Sequence, residues 1–169
     1  MTAAVHSVTT QGKPAAIEAN VKAVFLFNFS KYVAWPAAGT DGNPVPADLR
    51  ICVTADDEFY ALLKATVQGE EIDGKPLVAV ALEGLDDAKS CHILYVGDVK
   101  SPDARDWLDS VRGRQVLTVA DGGLSDDTVI AFVRDSSRIR FDINRASAGR
   151  RNLNVSAKLL RLARQVRPQ

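Results

Sequence analysis

Two histidines, two cysteines and one methionine in 169 residues leave this sequence short of the side chains on which much catalysis and metal binding depends. His6 lies in the first few residues, and His92 sits among apolar residues of strand type, where a half-buried structural histidine is the simpler reading. There is no HExxH, no CxxC and no paired His/Cys ligand spacing, so nothing supports zinc or dithiol redox chemistry. A GxSxG elbow and a Walker loop are also missing, and no cofactor is expected. Charge of one sign is not in excess: 21 Lys and Arg balance 21 Asp and Glu. A membrane-length apolar run is lacking at the start, because Lys22, Asn28 and Lys31 interrupt a run that is unbroken only from Ala23 to Phe27, whereas a span needs about 20 apolar residues. Residues 1 to 20 carry no basic start, apolar stretch or small-residue cleavage site, so they do not read as a signal peptide, and residues 1–16 are expected to form a flexible leader.

What remains is the composition of a globular protein, 46% apolar and 25% charged, and a chain of this length can bury one substantial core. From about Ile17 to Ala34 the stretch containing VKAVFLFNFSKYVAWP predicts a helix apolar almost all round, with Phe25, Phe29 and Tyr32 on one stripe and Lys22, Asn28 and Lys31 on a wet side. Pro36 stops it, and residues 36 to 47 read as a loop. LRICVTA predicts a strand, and DDEFYALLKATV a helix capped by Asp56 with Phe59, Leu62, Leu63 and Val67 inward. A turn at Asp73-Gly74 leads into a strand at 76 to 82, followed by CHILYVG, a polar helix at 102 to 111, and RQVLTVAD. TVIAFVRDSSRIRFDIN alternates as a hairpin about Asp135-Ser136-Ser137, and NVSAKLLRLARQVRP repeats Val155, Leu159, Leu162 and Val166 on one face of a last helix. The fold class is therefore α/β, a mostly parallel sheet with helices on both sides and an antiparallel hairpin at one edge, in a three-layer, Rossmann-like arrangement. Residues 17–169 are expected to form one domain.

The candidate chemistry is thin. Carboxylates cluster at Asp56-Asp57-Glu58, Glu70-Glu71, Asp86-Asp87 and Asp126-Asp127, each at a loop or helix start where capping or the helix dipole favours negative charge. ADGG at 120 to 123 follows a strand, where an α/β protein can cradle a ligand, but lacks the GxGxxG spacing and reads as a turn. From Arg134 to Gln169 ten Lys and Arg face only Asp135 and Asp142, which makes that segment +8, the remainder −8 and the molecule dipolar. The arginines are not interleaved with aromatics, so nucleic acid is not an expected partner. Cys52 and Cys91 lie in neighbouring strand-like contexts; they suit two buried thiols or a bridge closing a loop of about 40 residues, worth roughly 4 kcal/mol in the chain-entropy model.

Taken in order, VKAVFLFNFSKYVAWP, ICVTADDEF, IDGKPLVAV, CHILYVG, VLTVADGG, IRFDIN and NVSAKLLRLAR resemble the YfiR family of periplasmic regulators from about Ile17 to Val166. The resemblance implies a dimeric, non-enzymatic periplasmic protein, its signal peptide absent from this chain and taken as removed. Such a protein represses a YfiN-type membrane diguanylate cyclase by binding its periplasmic part, lowering cyclic-di-GMP and biofilm formation. A YfiB-type outer-membrane lipoprotein would relieve that repression by sequestration. It also implies a disulfide between Cys52 and Cys91, in keeping with an oxidising compartment. Two departures stand out: residues 122 to 134 hold no second cysteine pair, and the Gly-Gly that the family often carries just before the edge strand is replaced by Thr128-Val129, with Gly122-Gly123 earlier.

Within that frame the first helix either buries its aromatics in the core or offers Phe25, Phe29 and Tyr32 to a second copy or a partner. The alternative function is a periplasmic small-molecule sensor serving a sensor kinase or uptake receptor, with Arg140 and Asn144 holding an anionic or aromatic ligand. Against that, Asn144 also suits a helix cap, and Arg140 a solvent-facing strand position.

Overall fold

The computed structural model describes residues 14–36, 47–54 and 56–168. Residues 1–13 of the expected leader and most of the loop expected at 36 to 47 lie outside the described residues, while residues 14–16, also expected in the leader, form the start of the first helix. The chain forms α1 (Pro14–Tyr32), β1 (Val33–Ala34), β2 (Leu49–Thr54), α2 (Asp57–Val67), β3 (Glu71–Ile72) and β4 (Lys75–Leu82). A 3-10 helix (Leu85–Ser90), β5 (Ile93–Asp98), α3 (Pro102–Ser110), β6 (Leu117–Asp121), β7 (Ile130–Asp135) and β8 (Arg138–Asn144) follow. The last elements are α4 (Arg145–Arg150), β9 (Asn154–Val155), α5 (Ala157–Leu162) and β10 (Gln165–Arg167).

Eight strands form one sheet in the order β10-β8-β7-β6-β5-β2-β4-β3, and β1 pairs with β9 separately. The pairs β4–β2, β2–β5, β5–β6, β6–β7 and β10–β8 are parallel, while β7–β8 and β3–β4 are antiparallel. Alternation along the strands divides the core into two layers. Ile51, Val53, Ile93, Tyr95, Leu117 and Val119 face α1, α2 and α5, whereas Cys52, Leu94, Val96 and Ala120 face the 3-10 helix and α3. This is the three-layer α/β arrangement that the alternating strand and helix patterns predict.

Local chemistry explains the boundaries. Asp56 caps α2 by accepting from the Phe59 amide at 3.0 Å. The β3–β4 connection is a two-residue turn with both Asp73 (φ 53) and Gly74 (φ 81) left-handed, as a hairpin of that length requires. Gly97 (φ 71) sits where the β5–β6 register shifts between Tyr95 and Asp98, the residue type that can make such a bulge.

The C-terminal segment differs from its predicted single helix. Only Ala157–Leu162 is helical, and Gln165–Arg167 instead adds a parallel strand beyond the β7–β8 hairpin. The cause is Asp142, 5% exposed, whose carboxylate is held by Arg164 Nε at 3.0 Å and Nη2 at 2.7 Å. A buried carboxylate needs such a partner, and the Arg164 amide donates to the Phe141 carbonyl at 2.8 Å in the same step. Leu162 and Val166, expected on one helical face with Val155 and Leu159, are therefore exposed while Leu159 is buried.

The charge separation along the sequence is also partly folded away. Arg134 pairs with Glu18 at 2.6 Å and Arg167 with Asp126 at 3.7 Å. Arg151 is 4% exposed and donates to the Val111, Arg114 and Asp127 carbonyls at 2.8, 3.3 and 3.1 Å. Its guanidinium thus closes the carboxyl end of α3, and burial lowers its pKa from the usual arginine value. Arg151→Met should take one donor from each of these carbonyls, which keep the Arg114 amide, the Val116 amide and the Thr118 hydroxyl respectively, and lower stability by about 2 kcal/mol, a loss that chemical denaturation would register as a lower midpoint.

Candidate functional site

The expected docking aromatics divide between core and surface. Phe29 has no exposed surface; it and Phe25 pack edge-on against Phe141, with centroids 5.1 and 5.3 Å away, and both lie near Phe132. Phe29 is thus a core residue in this conformation and presents nothing to a partner, because α1 lies directly over the β7–β8 end of the sheet. Phe25 is half-buried, as is Tyr32, over whose ring Lys158 Nζ stands at 5.3 Å. The apolar surface α1 exposes most is one that the aromatic stripe did not indicate: Ile17 (56% exposed) and Val24 (48%), seven residues apart on the outer face.

Arg140 and Asn144, the expected ligand residues, each have a partner within the protein. Asn144 is buried; its Oδ1 accepts from the Ser147 amide at 3.2 Å as the cap of α4, and its Nδ2 donates to the Ser125 carbonyl at 3.1 Å. Arg140 is partly exposed and lies 3.8 Å from Asp135 across the hairpin.

At the carboxyl ends of the parallel strands, where open α/β sheets hold their ligands, lies a polar cluster. Asp121 Oδ2 accepts from the Tyr95 hydroxyl at 2.7 Å and pairs with Lys22 Nζ at 3.1 Å. Lys22, expected on the wet side of α1, therefore turns inward and fastens the helix to the strand ends. Burial, and then the neighbouring Asp121 carboxylate, hold the Tyr95 phenol well above its usual pKa, so it remains a donor. The turn reading of ADGG agrees with this geometry: Asp121 ties α1 to the sheet, while Gly122 (φ 97) and Gly123 (φ 137) turn the chain away.

A cleft opens at the opposite end of the sheet. Tyr32, Val33, Trp35, Leu49, Ile72, Lys75 and His92 are among the residues around its roughly 490 Å³, a size in the range of small-ligand sites. The Trp35 indole donates to the His92 carbonyl at 3.2 Å, and its ring stands edge-on to the imidazole with centroids 5.5 Å apart. His92 Nδ1 accepts from the Arg50 amide at 3.0 Å, which fixes a neutral imidazole protonated on Nε2. Burial, then the Lys75 cation, push the His92 pKa down to about 4. The unfolded chain, with an ordinary histidine pKa near 6.5, takes up this proton first. Stability should therefore fall as pH drops from about 6.5 to about 4 and level off below. An NMR titration should show the His92 ring unprotonated at pH 5.5.

Cys52 and Cys91 are joined in a disulfide across a Cα–Cα distance of 6.0 Å. The bridge fastens the end of the 3-10 helix to the sheet face opposite α1. Among the described residues no helix is long and apolar enough to cross a membrane.

The model of the YfiR/HmsC-like family matches residues 19–164, from the first helix to the last. The chain belongs to the YfiR/HmsC-like family. No curated protein matches the chain. Membership in the YfiR/HmsC-like family suggests a regulator of diguanylate cyclase signalling in the periplasm rather than an enzyme, consistent with the Cys52–Cys91 bridge. Sequence reasoning missed the Lys22–Asp121–Tyr95 cluster and the Trp35–His92 cleft. An acidic residue ending a strand was the only signal for the first, and the Trp-Pro stop after an aromatic helix the only one for the second.

Proposed function

We propose that this protein is a periplasmic negative regulator that binds the periplasmic part of a YfiN-type membrane diguanylate cyclase and holds it inactive, lowering cyclic-di-GMP. The family match across residues 19–164 carries this reading. Repression by occupancy needs a difference in affinity between the two receptor states; a tenfold shift toward the inactive state takes about 1.4 kcal/mol. A YfiB-type outer-membrane lipoprotein would release the cyclase by competing for the regulator. The outer face of α1, with Ile17 and Val24 exposed and Phe25 and Tyr32 retaining part of their surface, is the surface we assign to the homodimer or receptor contact. Titration of the oxidised protein into a purified cyclase periplasmic domain should give a saturable complex that Val24→Asp weakens without changing the circular dichroism. Failure of the unaltered protein to bind would contradict the proposal.

The cleft favours a second, compatible reading, a sensor that presents a bound small molecule to a sensor kinase or uptake receptor. Its aromatic walls at Tyr32 and Trp35, with Lys31 and Lys75 at the rim, suit an aromatic anion. Such a ligand should quench Trp35 fluorescence in the unaltered protein and in Trp107→Phe alike. Quenching that follows Trp107 instead would remove the cleft from the account.

A further inference from the structure

The β4 strand ends one side of the sheet with most of its outer edge open. Its inner side pairs with β2 along all of Leu77 to Leu82. Its outer side meets β3 only at Lys75 and Pro76, and the Leu77 amide makes one further bond to the Glu70 carbonyl at 2.9 Å. Since the Leu77 amide points outward, alternation turns the N–H and C=O of Ala79 and Ala81 outward too, and no described residue bonds them. Natural sheet edges are blunted by charge, proline or a bulge; from Leu77 to Leu82 this one has none of these. Val78 and Val80 are half-exposed and Ala81 is exposed.

The surroundings select the occupant. Exposed Glu70 and Glu71 stand at one end of the open stretch and exposed Glu83 at the other, while Lys89 is already paired with Asp86 at 3.5 Å. A second copy added by two-fold symmetry would run antiparallel, bringing Glu83 of each copy against Glu70 and Glu71 of the other. That juxtaposition repels. We propose that the β4 edge binds an extended segment of a partner protein by strand addition, the segment having apolar residues at its centre and basic residues at its ends. Main-chain bonds to Ala79 and Ala81 supply the pairing, and the flanking glutamates select the ends. The proposal does not depend on the identity of the receptor.

The probe is the synthetic peptide acetyl-Lys-Val-Thr-Val-Thr-Val-Lys-amide, with a control carrying Glu in place of both Lys. The Lys-ended peptide should slow amide exchange at Ala79 and Ala81 by about tenfold at low salt, with the Glu-ended peptide having little effect. Ala81→Pro should abolish the protection and leave the fold intact, because the amide it removes bonds nothing within the protein. Should that variant not fold, a Lys-ended peptide N-methylated at alternate residues makes the same test on the unaltered protein. Absence of protection at millimolar peptide, or equal protection by both peptides, would overturn the proposal. So would protection that grows with protein concentration alone, which would make a second copy the occupant.

Discussion

Removing the Cys52–Cys91 bridge should lower stability by about 4 kcal/mol, the chain-entropy value for the loop it closes. The two cysteines are 39 residues apart in sequence, and both are buried. The effect has a local component, since Cys91 ends the 3-10 helix at Leu85–Ser90, in which Ala88 is the one buried residue. A Cys52→Ala, Cys91→Ala double variant avoids a leftover thiol and a buried hydroxyl. Its guanidinium midpoint should fall well below that of the oxidised protein, and the unaltered protein in excess reductant should shift the same way. A loss below about 1 kcal/mol would mean that packing alone holds the 3-10 helix, and the bridge would then not be the main fastening of that face.

Phe29→Ala should cost a comparable amount, about 3 to 5 kcal/mol, as large-to-small changes at buried aromatics do. Phe29 is fully buried and its ring contacts those of Phe25, Phe132 and Phe141, so truncation leaves a cavity where α1 meets β7 and β8. Val24→Ala on the outer face of the same helix should change stability by less than about 0.5 kcal/mol. The contrast separates the two roles given to α1. Core packing predicts a large effect at Phe29 and almost none at Val24 in thermal denaturation, while docking predicts the reverse order in association. If both changes unfolded the protein equally, the outer face would not be a free surface.

The alternation of strand and helix, the Asp56 cap, the Asp73-Gly74 turn and the β7–β8 hairpin were all legible because each rests on local chemistry: a capping oxygen, left-handed turn residues, period-two alternation. The last segment was not. KLLRLARQVR carries a helical apolar period, and its division into α5 and β10 depends on Arg164 meeting Asp142, 22 residues earlier in the chain. Long-range pairing of this kind leaves no trace in a local window. Lys22 reads as a solvent residue for the same reason until Asp121 and Tyr95 are brought beside it. Asn144 and Arg140 read from the sequence as polar groups near a strand end; in the fold Asn144 caps α4 and Arg140 stands by Asp135 across the hairpin. Arg151, one of the ten cations of the C-terminal segment, is buried, and its guanidinium adds second donors to carbonyls at the carboxyl end of α3 and at Asp127, partners that lie 40 and 24 residues away in the chain.

The central claim is that this chain restrains a diguanylate cyclase from the periplasm, and its most direct test is cyclic-di-GMP in cells lacking the gene. The account predicts a several-fold rise on deletion, reversed by the protein exported to the periplasm and not by the same protein retained in the cytoplasm. Unchanged cyclic-di-GMP on deletion, or complementation by the cytoplasmic form, would contradict it.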